Sequence, residues 1–326
     1  MNIKMPNSFN LEQAIKFTCS LHEIEDSDSY TCDYSRVGTV EPFGMLLISS
    51  KVREFIKERK ESKHFVLGYD TNDYASHMGY FQSVYLDYGK KPGEACGSNT
   101  YVPITKININ QSYRVALFEK EMSIEQYIEK EIAKKLIRIV STESKELKDT
   151  LTFCITEIIR NVYDHSKSKE LWFAGQYWPR KDMVEIAILD EGEGISNTLK
   201  RNKKLIVDND IDALKLSLQP GVTKSLDTKR DNDIYSNQGF GLFMTSKICE
   251  SAGSFAICSG NACLTINDNG KSSKESSFNG TAIRLRLQPS KIHRINLDLI
   301  RAEGNRIADE IKRDLRISAN LYEKIV

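Results

Sequence analysis

The stretch Leu147–Ser166, LKDTLTFCITEIIRNVYDHS, decides the fold. Leu147, Leu151, Cys154, Ile155, Ile158, Ile159 and Val162 recur at intervals of three and four, the period of a helix packed along one side. Beside that stripe stand Glu157, Asn161 and His165, each four residues from the last. Side chains at this spacing stack on one helix face, so a carboxylate, a carboxamide and an imidazole share one space. The solvated edge of an ordinary core helix carries such patterns too, and this helix alone does not choose between the two readings. Glycine motifs further along the chain do.

Downstream, Glu170–Trp178 and Met183–Leu189 are rich in β-branched and aromatic residues and are separated by PRKD, which predicts a hairpin. The second run ends in Asp190-Glu191-Gly192-Glu193-Gly194-Ile195. Alternate glycines after a strand let backbone approach a flat ligand closely, and the strand-end Asp190 can accept a hydrogen bond from an exocyclic amine. A plain turn uses the same residues. Further on, Gly239-Phe240-Gly241-Leu242-Phe243 opens a helix that is expected to be capped by Gly253. Backbone N–H groups at such a helix start form an anion site suited to phosphate. The long segment between these motifs, Ser196–Gln238, holds an apolar patch at Ile211–Leu218, then QPGVTKS and a charged stretch, and is expected to be a lid over a ligand. Strands are expected at 254–258, 263–266 and 281–287, the last preceded by Asn279-Gly280.

Upstream, Leu11–Ile24 predicts a helix, Tyr30–Tyr34 a strand, Pro42 to about Lys60 a helix with Phe43, Leu46, Leu47, Val52 and Ile56 buried, and His64–Gly68 a buried strand. Strand, helix, strand in this order predicts a small α/β unit with a parallel sheet over residues 1–115. Gly89–Asn110 has the composition of turn and loop, and a domain edge is expected there or slightly beyond. Ser123-Ile-Glu-Gln126 has the form of a capping box and starts a helix to about Val140, after which Ser141 and Thr142 offer an N-cap for the central helix. The second unit is expected over 120–290, followed by a C-terminal helical extension over 291–326.

With 326 residues, 40% hydrophobic and 28% charged, the chain is long enough for two domains and a substantial core. A net charge of +1 gives no bulk attraction to nucleic acid or anionic lipid. Lys57, Arg59, Lys60 and Lys63 read as a solvated helix end answered by Glu58 and Glu61. The N-terminus lacks a secretory apolar core and no run is long enough to span a bilayer, so a cytoplasmic location away from membranes is expected. Seven cysteines without a CxxC pair predict reduced, packed thiols. Other nucleotide motifs fail on pattern. Gly270-Lys271-Ser272 has Thr265 where a P-loop needs its first glycine, and Gly192/Gly194 and Gly239/Gly241 lack the third glycine of a dinucleotide fingerprint. The HRD and DFG set of eukaryotic-type protein kinases is missing as well.

The ordered set ExxxN on a helix, DxGxG after a strand, GxGL before a helix and GT on a late strand resembles the GHKL superfamily of ATP-binding domains. This superfamily includes gyrase, heat-shock chaperone, histidine-kinase and mismatch-repair ATPases, with anti-sigma serine kinases nearby. The resemblance covers about residues 145–287. It implies an α/β (α+β) fold: a two-layer sandwich, helices on one face of a mixed sheet, with ATP held between the helical layer and the lid. Carried onto this chain, Asn161 would ligate Mg²⁺ bridging the phosphates and Asp190 would bond the adenine amine. Gly192 and Gly194 would line the base, Gly239, Gly241 and Leu242 would meet the phosphates through backbone, and Thr281 would support the adenine contact through a water. Glu157 is the candidate general base, since an attacking water or serine hydroxyl needs a carboxylate within reach. Asp164 departs from the basic residue of many sensor kinases, and Lys224 is the base that could replace it. His165 reads as a packed histidine rather than a phosphoacceptor.

The first hundred residues resemble the STAS-like segments that accompany some bacterial ATP-binding proteins. Three functions follow as expectations: an ATPase coupling nucleotide binding to lid closure or self-association, an anti-sigma-type serine/threonine kinase with a protein partner, or a non-hydrolysing ATP sensor.

Overall fold

The structure, a computed structural model, describes residues 1–140, 142–222, 240–313 and 317–318. It is a mixed α/β fold with parallel and antiparallel sheets. In the N-terminal unit, β1 (Asn2–Lys4), β2 (Ser29–Asp33) and β3 (Lys63–Leu67) form a parallel sheet in the order β1-β2-β3. Helix α1 (Leu11–His22) starts at Asn10, whose side chain accepts from Gln13 N–H, and α2 (Pro42–Glu58) starts with Pro42 in its first turn. The strand read as buried at His64–Gly68 is instead a half-exposed edge, with Phe65 and Leu67 each 54% exposed.

The larger sheet begins within the stretch read as turn and loop. There Tyr101–Asn108 forms β4, and Pro103 is tolerated because β4 is an edge strand whose register shifts between Val102 and Thr105. Then follow α3 (Lys145–His165), β5 (Glu170–Trp178), β6 (Met183–Asp190), α4 (Gly194–Leu199), β7 (Leu205–Ile206), α5 (Asp210–Ser217), α6 (Phe240–Ala252), β8 (Gly253–Asn267), β9 (Gly270–Leu287), α7 (Leu297–Arg313) and β10 (Ile317–Ser318). The sheet runs β8-β9-β6-β5-β4, every neighbouring pair antiparallel. The mixed sheet that the resemblance implies is therefore a wholly antiparallel one.

Both of its faces are covered. Strand side chains alternate between faces, so Phe173, Ile186 and Ile188 join α3 and α6 in one core while Trp172, Ala174, Ala187 and Leu189 join α1 and α2 in another. Helices on one face alone would have left this second set in water. Helix α2, packed on the sheet and on its own unit, is buried on nearly all sides from Pro42 through Arg53. Its first turn is fixed electrostatically: the Phe43 N–H donates to Glu185 Oε1 at 3.0 Å, and Arg286 bridges Glu185 and Glu41. A fully buried carboxylate at a helix N-terminus is stabilised by the amide dipoles there, and its pairing with Arg286 offsets the cost of burial.

Several local readings change in detail. The cap of α3 is Ser144, accepting from Leu147 N–H at 3.2 Å, rather than Ser141 or Thr142; Ser141 lies outside the described residues. The Ser123–Gln126 capping box is formed. Gly253 opens β8 rather than capping α6. Part of the segment read as a lid is core: Ala213, Leu214 and Leu216 of α5 are buried, and Asp210 Oδ2 accepts from Asn261 N–H at 2.8 Å. Residues 223–239, with Lys224, lie outside the described residues. Five cysteines are free, but Cys258 and Cys263 are joined in a disulfide across the bulge of β8, which corrects the expectation of reduced thiols throughout. Helix α7 buries Ile300, Ile307 and Ile311, and Arg301 donates to Glu146 Oε1 at 3.0 Å and Thr150 Oγ1 at 3.2 Å on α3. No described helix is long and apolar enough to cross a membrane.

Candidate functional site

Antiparallel pairing places Thr281 of β9 directly opposite Asp190, the last residue of β6. Asp190 has the strand parity of Ile186 and Ile188, so its side chain lies on the α3 face of the sheet. It is 2% exposed, and its Oδ1 accepts from Gly192 N–H at 2.9 Å. Burial pushes its carboxyl up to about 7, against the opposing pull of the Gly192 and Thr281 hydrogen bonds. A carboxylate so held is poised to lower its energy by accepting a further donor.

Opposite Asp190, α3 presents Ile158, Asn161, Val162 and His165, and these close a pocket of about 110 Å³ together with Gly194, Ile195, Leu242 and Thr281. Its walls are mainly aliphatic, from Ile158, Val162, Ile188, Leu199 and Ile283. This volume is near the scale of a cavity that takes one small aromatic ring. Flat apolar walls around a few convergent polar groups are what a small-molecule site requires. Asn161, Asp190, Gly194, Leu242 and Thr281, drawn from four separate motifs, thus meet in one pocket.

Gly192 and Gly241 serve that pocket from behind. A Cβ at Gly192 would stand 2.1 Å from Ser166 O, so glycine is what lets the loop after β6 close on the end of α3, where Glu193 N–H donates to Ser166 O at 2.8 Å. At Gly241 a Cβ would stand 2.6 Å from the Glu157 Cβ, so glycine sets how closely α6 approaches α3. Gly239 lies outside the described residues.

Glu157 is not among the residues that line the pocket. It is one turn before Asn161, 9% exposed, and its Oε2 accepts from Arg160 Nη2 at 3.0 Å. Burial raises its carboxyl above the usual range while Arg160 draws it back. Arg160 also approaches Asp164, at 3.9 Å. The three-residue spacing of Glu157 and Arg160 is itself an ion-pair signal in the sequence, and Lys224 lies outside the described residues. Among the described residues no group of three or more His, Cys, Asp or Glu could hold a metal ion. Asn161, exposed at the pocket, fits a hard cation that takes most of its oxygens from a ligand's phosphates and from water.

The chain matches no protein-family model, and no curated protein matches it.

Proposed function

We infer that the chain binds ATP with Mg²⁺ in the pocket between α3 and the β6–β9 strand ends, in the manner of the GHKL ATPases it resembles. The observation that carries this reading is the convergence of Asn161, Asp190 and Thr281 on one ring-sized apolar pocket. Asp190 accepts the adenine amine and Thr281 supports it. Gly194 lines the base, Leu242 meets the phosphates through its backbone, and Asn161 would hold Mg²⁺ together with those phosphates, whose charge the ion neutralises for transfer. Glu157, with its carboxyl raised by burial, takes the proton from an attacking water. Opening of the Glu157–Arg160 pair frees the base and turns Arg160 toward developing negative charge. The product is ADP and phosphate, and binding is coupled to association with a protein partner or a second copy.

One observation favours a second reading. Glu157 is engaged by Arg160 outside the pocket lining, an arrangement that suits a sensor that binds without turnover. Phosphate release and phosphotransfer by the purified chain, measured with ATP and Mg²⁺, decide between the two: turnover that disappears in Glu157→Gln supports the ATPase, and binding without turnover supports the sensor.

A further inference from the structure

A second cleft, of about 740 Å³, lies on the opposite side of the sheet, between α2, the segment Gln82–Pro92, β4 and the turn after α3. Six cationic side chains line it, Arg53, Lys57, Lys91, Lys106, Lys167 and Lys169, against two carboxylates, Glu170 and Glu191. The carboxylates are already engaged: Glu170 pairs with Lys106 at 3.1 Å, and Glu191 is held by Arg53 at 2.6 Å and by the Ser50 hydroxyl at 2.6 Å. Lys167 pairs with Glu193 at 3.0 Å. Lys57, Lys91 and Lys169 have no carboxylate partner among the described residues. They come from three separate segments, so no local helix or turn pattern accounts for their meeting.

Trp172 and Tyr85 complete the lining of the cleft. Trp172 is 3% exposed, with the Arg53 guanidinium 4.0 Å above its ring, and its indole N–H has no hydrogen-bond partner among the described residues. At the rim, Tyr85 is exposed and held at φ +67°, a conformation side chains rarely adopt and one that concentrates at binding sites.

We propose that this cleft binds a compact polyanion, a small ligand carrying two or more linked phosphates. Three unpaired ammonium groups around one volume of small-molecule size demand several negative charges in one small body, which a simple carboxylic acid does not have and a di- or triphosphate does. Lysine serves phosphate as a point charge. The cleft shares a wall with the first pocket: Ser166 and Asp190 line that pocket, and the next residues, Lys167 and Glu191, line the cleft. Its occupancy does not depend on the nucleotide reading of that pocket.

The 326-residue chain with Trp178→Phe keeps Trp172 as its only tryptophan, and its emission is titrated with sodium tripolyphosphate in EDTA at constant ionic strength. Calorimetry on the unaltered chain reads the same dissociation constant without the fluorophore. The expected result is saturable binding, weakened by about tenfold or more in Lys57→Glu/Lys169→Glu, since each reversal replaces an attraction to the polyanion with a repulsion. Circular dichroism establishes that this variant is folded. The proposal is overturned by a response no greater than that to sulfate at equal ionic strength, by equal affinity in the charge-reversed variant, or by a single-stranded oligonucleotide binding more tightly than tripolyphosphate.

Discussion

Thr281 stands opposite Asp190 across the β6–β9 pair, and this cross-strand contact is half of what holds a buried carboxyl at a pocket wall. The other half is the Gly192 N–H at 2.9 Å. Because the folded-state carboxyl is raised from 3.8 to about 7, the folded chain keeps a proton that the unfolded chain releases over that window. Stability is therefore full below about pH 4, falls as pH rises toward 7, and is level above it. Asp190→Asn removes this loss and keeps an acceptor for Gly192. Thermal unfolding of the two proteins from pH 4 to 8 is expected to show the variant gaining on wild type up to pH 7, by on the order of 4 kcal/mol at most. A gap that does not change with pH would contradict the burial of a protonated Asp190.

Arg160 draws the Glu157 carboxyl down against the effect of burial. In Arg160→Met that carboxyl rises further, so less of it is ionised at any pH below neutrality. The acid limb of the kcat/KM profile for ATP hydrolysis is then expected to move to higher pH, with phosphate release as the readout. Glu157→Gln keeps the shape and loses the proton acceptor, so turnover falls by roughly 10²- to 10⁴-fold while ATP is retained. An acid limb unmoved by Arg160→Met would assign it to another group.

Asn161 is exposed on α3, so truncation leaves no cavity behind. Asn161→Ala is expected to unfold within about 0.5 kcal/mol of wild type and to lose the Mg²⁺-dependent part of ATP affinity, measured by calorimetry with and without the ion. A variant that unfolds would return Asn161 to a packing role.

Gly241→Ala drives a methyl to 2.6 Å from the Glu157 Cβ and 3.3 Å from Cys154 O. Helix α6 has to move off α3, and urea unfolding is expected to report a loss of about 1–3 kcal/mol, the usual cost of overpacking. A loss under about 0.5 kcal/mol would show that the two helices part freely.

The elements legible in the sequence are those whose signal is local. The period of Leu147–Val162, the hairpin around PRKD and the glycines after Asp190 each depend on residues near in the chain, and the helix, the hairpin and the turn are there. What depends on partners far away was not legible. Tyr101–Asn108 alternates like a strand, but Pro103 and the preceding glycines hide it until β5 is there to pair with. The cover on the outer sheet face was missed because Trp172, Ala174, Ala187 and Leu189 read as ordinary strand residues whichever face is wet. Lys57 looked like a solvated helix end because Lys91 and Lys169, which meet it in the cleft, are far away in sequence.

The measurement that bears most directly on the central claim is calorimetric titration of the 326-residue chain with ATP and with GTP, in Mg²⁺ at pH 8, where Asp190 is ionised. A buried acceptor matched to the adenine amine is left unpaired by guanine, so ATP is expected to bind at least about a hundredfold more tightly than GTP, with the difference largely lost in Asp190→Asn. Equal affinity for the two nucleotides, or a preference for ATP that survives intact in Asp190→Asn, would contradict the account.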